Sequence, residues 1–198
     1  MTFRTVALEA PVFWRRRVVT GDVLGDRLRD GDLSAVGEAY DLHAAAVRRF
    51  ARRLVGDADE AEDLVQQVFV TLPKAARRFD GRASLRTFLI AIAINHARHH
   101  VRAAARRRKA WERASLERPQ TADSPERASQ DGELARALSR ALDTLPLDQR
   151  VAFVLCEVEE RTSTEVALLV DAPEATVRTR LFHARRKLRE ALAKEGVR

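Results

Sequence analysis

The 198-residue chain has 33% charged and 45% hydrophobic residues, the balance of one or two folded domains rather than of a disordered or fibrous chain. Its net charge is +7, carried almost wholly by arginine with lysine only at Lys74, Lys109, Lys187 and Lys194, which favours an anionic partner such as nucleic acid or a membrane surface. Cys156 is the only cysteine, which excludes an intramolecular disulfide, and no stretch approaches the ~18 apolar residues of a membrane span.

Residues 1–25 read as an N-terminal extension. Within it Phe13 and Trp14 precede Arg15, Arg16 and Arg17, which is not the order of a signal peptide, so a cytoplasmic, reducing compartment is expected. Leu33–Leu54 is predicted as one helix, broken at Gly56 and Asp57. Asp59–Leu72 is predicted as the next, ending before Pro73. Its apolar residues Ala61, Leu64, Val65, Val68, Phe69 and Leu72 follow helical spacing, and Glu62, Asp63, Gln66 and Gln67 share another face. A loop over Phe79–Ser84 leads into a helix from Leu85 to the basic run Arg106–Lys109. His96, His99 and His100 fall at i, i+3 and i+4 on it; that spacing can hold a metal, but the preferred reading is a polar surface near phosphate.

Residues 114–132, with Pro119 and Pro125 and few large apolar side chains, bury too little to fold alone and read as a flexible linker. Helices are predicted over Glu133–Leu142 and Leu147–Val158, either side of Leu145–Pro146. Thr162 and Glu165 form a capping-box pattern that opens a short helix over Ser163–Val170. Asp171–Pro173 turns the chain into a long basic helix from Glu174 to Ala193. No segment alternates as a strand does. The expected fold is all-α: two small helical domains, over residues 26–113 and 133–198, joined by the linker, the second containing a helix-turn-helix.

In a helix-turn-helix the second helix enters the DNA major groove. Here Val177, Leu181, Ala184 and Leu188 lie at core spacing, opposite Arg178, Thr179, Phe182 and Arg186. An aromatic on the polar face, Phe182, suits contact with a thymine methyl, and arginine suits guanine and phosphate. There is no glycine-rich phosphate loop, nucleophile elbow or supported pair of carboxylates, so the chain is not expected to be an enzyme.

Thr162 to Ala167, Pro173, Thr176 to Leu181 and Ala184-Arg185 resemble the last region of bacterial sigma factors, and Ala141 to Arg150 is similar to that region's opening helices. Asp59 to Phe69 resembles the family's most recognisable segment, and Arg78 to Leu89 with Ile92 to Asn95 resembles its minus-ten-reading region. The closest type is the extracytoplasmic-function (ECF) group of the sigma-70 family. There are departures: Asp171 and Ala175 stand where glycine is usual, His183 where arginine is common, Gln67 for an acid, Phe88 for a frequent tryptophan, and Ala91 and Ile94 for frequent arginines.

The resemblance implies a promoter-reading subunit that binds core RNA polymerase, recognises the minus-ten and minus-thirty-five elements and promotes melting. It implies docking on the clamp helices of the largest subunit through Glu62, Asp63, Gln66 and Gln67, with the beta subunit as a further partner. Minus-ten contacts would fall to Arg82, Ser84, Arg86, Thr87, Asn95 and Arg98. Minus-thirty-five contacts would fall to Arg178, Thr179, Arg180, Phe182, His183, Arg185 and Arg186. No cofactor, metal or small-molecule substrate is expected; an anti-sigma protein is an implied partner. A stand-alone helix-turn-helix regulator would leave the Asp59–Phe69 and Phe79–Asn95 segments unexplained, and no motif supports a nucleic-acid-processing enzyme.

Overall fold

The computed structural model describes residues 23–81, 83–114 and 130–194 and, of these, the side chains outside 102–114 and 130–136. The predicted N-terminal extension and linker therefore lie almost wholly outside the described residues. The described chain runs α1 (Val23–Arg29), α2 (Ser34–Val55), α3 (Ala58–Ala75), α4 (Leu85–Ala114), α5 (Gln130–Asp143), α6 (Leu147–Phe153), α7 (Ser163–Val170) and α8 (Glu174–Lys194). No strand occurs among the described residues. Helix α1 is an addition to the sequence reading. Leu24 and Leu28 bury its one apolar edge, and seven residues are too few to show a period.

Each boundary has a local cause. Before α2, Asp32 accepts hydrogen bonds from the Ser34 backbone N–H at 2.8 Å and its hydroxyl at 2.7 Å. These bonds, with Arg27 beside it, pull the Asp32 carboxyl down to about 2. Helix α2 ends at Gly56, whose φ of +79° favours glycine. Asp57 then caps α3 by accepting from the N–H groups of Asp59 and Glu60.

The expected stop at Pro73 does not occur: α3 runs through it to Ala75 and tightens into a 3₁₀ turn over Ala76–Arg78. Proline removes a single donor there. Leu72 and Ala76, buried on either side, hold the turn against that loss.

Helices α2, α3 and α4 pack on one another around Phe50, Leu72, Leu89 and Ile90, all essentially without solvent contact. In the second block, α8 packs on α5, α6 and α7. Both halves of the Thr162–Glu165 capping box are made, and Asp171 ends α7 in the left-handed conformation at φ 53°. An aspartate tolerates that conformation better than most side chains, which is how the turn forms without glycine. The helix predicted over Leu147–Val158 is regular only to Phe153; Val154–Val158 widens into a π turn. Glu157 lies within that turn and Glu159 caps its end; such insertions frequently mark functional positions.

The two blocks share a core. One continuous apolar cluster takes in Leu54, Leu89 and Ile92 from the first and Leu155, Val166 and Val170 from the second. A smaller cluster, Ala141, Leu142, Leu145, Ala184 and Leu188, ties α5 to α8. At the seam, Arg150 is only 8% exposed. It donates to the Leu54 carbonyl at 2.6 Å and to Asp143 at 2.8 Å. Asp143 in turn lies so close over Gly56 that a Cβ there would collide with its carboxylate.

Candidate polymerase and nucleic-acid interfaces

Four acidic and amide residues were expected on the outer side of α3, and the fold divides them. Asp63 and Gln66 are exposed. Glu62 turns to Arg48 of α2, which donates to it at 2.6 and 3.0 Å. That guanidinium holds the Glu62 carboxyl below its usual range. Gln67 pairs with His100 of α4 at 3.0–3.1 Å. A residue absent from the sequence reading joins the exposed pair: Val70 is 78% exposed and follows Asp63 by seven positions, on the same helical line. Its signal was available, because Val70 is an apolar residue outside the buried stripe of α3.

The segment expected to read the minus-ten strand begins at the Phe79 turn. Phe79 is buried against Phe88, ring centroids 5.2 Å apart, which anchors the loop on α4. Arg82 lies outside the described residues. Ser84 caps α4: its hydroxyl accepts from the Thr87 N–H at 3.2 Å and pairs with the Thr87 hydroxyl at 2.9 Å. Asn95 is half-buried one turn before His99.

Arg86, Thr87 and Arg98 are all engaged by the second block. Arg86 reaches Glu159 at 2.5 Å, Arg161 donates to the Thr87 hydroxyl at 3.0 Å, and Arg98 reaches Asp148 at 3.0 Å and the Val170 carbonyl at 3.3 Å. None of these partners was foreseen.

The histidines on α4 do not gather. His96 bonds the Thr71 hydroxyl at 2.9 Å, and burial, reinforced by His99 and His100, keeps its pKa below 6.5. Among the described residues no group of three or more metal-ligating side chains could hold an ion.

On α8 the expected division holds. Val177, Leu181, Ala184 and Leu188 are buried, while Arg178, Thr179, Phe182, Arg185 and Arg186 are exposed. Phe182 is 62% exposed and its ring meets that of His183 edge-on at 5.5 Å. Arg178 is paired with Glu174 one turn back, and the Thr179 hydroxyl donates to the Ala175 carbonyl at 2.9 Å. Arg180 is half-buried on Asp148 at 2.9 Å, and Arg185 reaches Glu157 at 2.5 Å. Arg186 leans toward Glu190 at 3.8 Å.

A helical bundle followed by a capped helix-turn-helix with an exposed arginine–phenylalanine face defines a two-region DNA-binding transcription protein. Residues 39–107 match the family model described as Sigma-70 region 2, and residues 135–188 match that described as Sigma-70, region 4. The RNA polymerase sigma-H factor of Pseudomonas aeruginosa is 30% identical over 177 residues, covering 85% of this chain and 92% of that protein. The ECF RNA polymerase sigma-E factor of Escherichia coli is 29% identical over 175 residues, covering 84% and 91%. The chain belongs to the sigma-70 family of RNA polymerase sigma factors, in its ECF group.

Among solved structures, the sigma factor RpoE from Bartonella quintana, in complex with the anti-sigma factor NepR, matches with a TM-score of 0.63 and 23% identity, over 81% of this chain and 98% of that one. CnrH, in complex with the cytosolic domain of CnrY, matches with a TM-score of 0.60 and 25% identity, over 87% and 96%. Sigma factors are initiation factors, so the chain is not an enzyme. No described helix is long and apolar enough to cross a membrane.

Proposed function

We propose that this sigma factor docks on core RNA polymerase through the outer line of α3, reads the minus-ten strand with α4 and its preceding loop, and reads the minus-thirty-five duplex with α8. The observation that carries the reading is the α8 face. A capped α7 and a left-handed turn fix its entry angle, and its buried stripe leaves Arg178, Thr179 and Phe182 free of the core. Bases would be read from that face and phosphates met by the arginines flanking it. The protein would act in the cytoplasm. An anti-sigma partner belongs to the same reading, as the resemblance to ECF sigma factors implies. Purified core polymerase with this protein should give specific transcripts from source-genome promoters; no transcript above core enzyme alone would reject the reading.

The docking surface is tested on α3. Asp63→Ala with Gln66→Ala should weaken core-polymerase binding about tenfold and leave the helical signal unchanged, since neither side chain contributes to the core. Unchanged affinity by calorimetry would move the docking face elsewhere.

For the minus-ten contacts, Asn95→Ala should lower open-complex formation with little effect on core binding. Extruding a base from the duplex costs a few kcal/mol, which polar edge contacts help offset. Permanganate reactivity of unpaired thymines reports the melting. Reactivity equal to that of the unaltered protein would remove Asn95 from the strand-binding set.

A further inference from the structure

We propose that Glu174 and Arg178 read the minus-thirty-five element as one unit: Arg178 donates to a guanine, and Glu174 accepts from the exocyclic amino group, cytosine N4 or adenine N6, of a base in the neighbouring pair. The proposal rests on the reading of α8 as the minus-thirty-five helix, and it adds Glu174 to that helix as a residue that sets specificity.

Three observations carry it. The first is charge. Helix α8 is basic from Arg178 to Arg189, and its acids are Glu174 in the first turn and Glu190 near the far end. An acid presented to a polyanion is repelled unless a donor meets it, and the strong donors on base edges in the major groove are the amino groups of cytosine and adenine. The second is placement. Glu174 opens α8, in the half of a recognition helix that meets base edges. One turn on, Nη2 of Arg178 donates to Oε1 of Glu174, and the two side chains are 70% and 35% exposed. Oε2 of the acid and the remaining N–H groups of the guanidinium can then serve bases. Two heads already in contact suit two groups side by side in the groove, the O6 and N7 acceptors of guanine and an amino group beside them. The third is the hydrogen-bond polarity of the rest of the face. The Thr179 hydroxyl donates to the Ala175 carbonyl at 2.9 Å, so its proton is committed within the helix, and Phe182 presents an apolar ring.

Two ordinary roles have to be told apart from this one. As a surface ion pair the contact adds little to the helix. An acid near a helix N-terminus is stabilising whether it is aspartate or glutamate. Reach separates these roles from base reading, because an aspartate serves the helix start as well but sets its carboxylate one methylene short of the groove floor.

The test uses holoenzyme and duplexes carrying the minus-thirty-five element of a promoter that it transcribes. Each base of the element is changed singly. In a further set 2-pyrimidinone replaces cytosine, or purine replaces adenine, which deletes only the amino group. Arg178→Ala locates the guanine as the position whose discrimination it lowers. Next to that guanine, deleting one amino group should weaken binding of the unaltered protein about tenfold, and the analogue that does so tells cytosine from adenine. In Glu174→Ala and in Glu174→Asp the loss should fall to about twofold or less, the scatter of uncoupled sites. Glu190→Ala, which removes the same charge from the far end of α8, should keep the full loss.

A loss that survives Glu174→Ala, or a duplex series in which no amino group next to the guanine matters to the unaltered protein, would overturn the proposal while leaving Arg178 as a base reader. A loss kept by Glu174→Asp and removed by Glu174→Ala would assign the effect to charge at the helix start and overturn the contact. If Arg178→Ala lowers discrimination at no position, the reading of α8 itself has failed and the paired reading falls with it.

Discussion

Replacing Arg150 with Met should lower the unfolding free energy by about 2–3 kcal/mol, a large loss for one side chain outside any DNA-reading face. The guanidinium sits at the seam with the Leu54 carbonyl, the Leu145 carbonyl and Asp143 around it. Burial alone would favour the uncharged form and pulls its pKa down, with Asp143 opposing that effect. Methionine fills the volume of the stem but leaves the Leu54 carbonyl, at the end of α2, without its donor in a dry place. Asp143 is 45% exposed and can rehydrate, which keeps the loss below that of breaking a fully buried pair. Arg150→Lys restores a charge but not the fork that serves two carbonyls and a carboxylate together, so it should recover only part of the stability. Urea unfolding followed by circular dichroism measures this as a lower midpoint at unchanged slope. A loss under about 0.5 kcal/mol would mean that water replaces the guanidinium without cost.

What the sequence disclosed, and what it withheld, follows from the range of each interaction. The capping box at Thr162, the break at Gly56 and the buried stripe of α8 are set within three or four residues, and all were legible. Pro73 was misread because a proline's local cost is visible, whereas the burial of Leu72 and Ala76 that offsets it comes from packing on other helices. The π turn after Phe153 was invisible for the same reason: Leu155 and Val154 keep helical spacing in the sequence whether the turn holds four residues or five.

Among the proposed site residues the division is sharper. The exposure of Asp63, Gln66 and Phe182 could be read from the apolar stripe they avoid. The partners of Glu62, Arg86 and Arg98 could not. Arg48 is 14 residues from Glu62, Glu159 is 73 from Arg86, and Asp148 is 50 from Arg98. An arginine awaiting phosphate and an arginine held by a distant carboxylate look the same in one dimension.

Arg178→Ala should reduce discrimination between a cognate minus-thirty-five element and one with a single mismatch by about 1–3 kcal/mol, while Arg185→Ala should weaken both duplexes together. The two arginines lie on the same helix but face different surroundings. Arg178 stands one turn past the N-terminus of α8, the half of a recognition helix that meets base edges, and Thr179 and Phe182 flank it on the exposed side. Its pairing with Glu174 fixes the guanidinium over that side, and an exposed pair of this kind is weak enough to yield to a base. Arg185 lies two turns further on and reaches back to Glu157 in the π turn, toward the flank where a DNA backbone would pass. Losing it should therefore remove one phosphate contact and reduce the salt slope by about 1. The protein to use is holoenzyme rather than an isolated second region. Val166, Val170 and Val177 share their core with the first region, so a fragment would expose that surface. Competition between the two duplexes over a salt series gives both the ratio and the slope. A cognate-to-mismatch ratio that Arg178→Ala leaves intact at every salt concentration would remove Arg178 from base reading and leave the specificity of α8 to Phe182, Thr179 and His183.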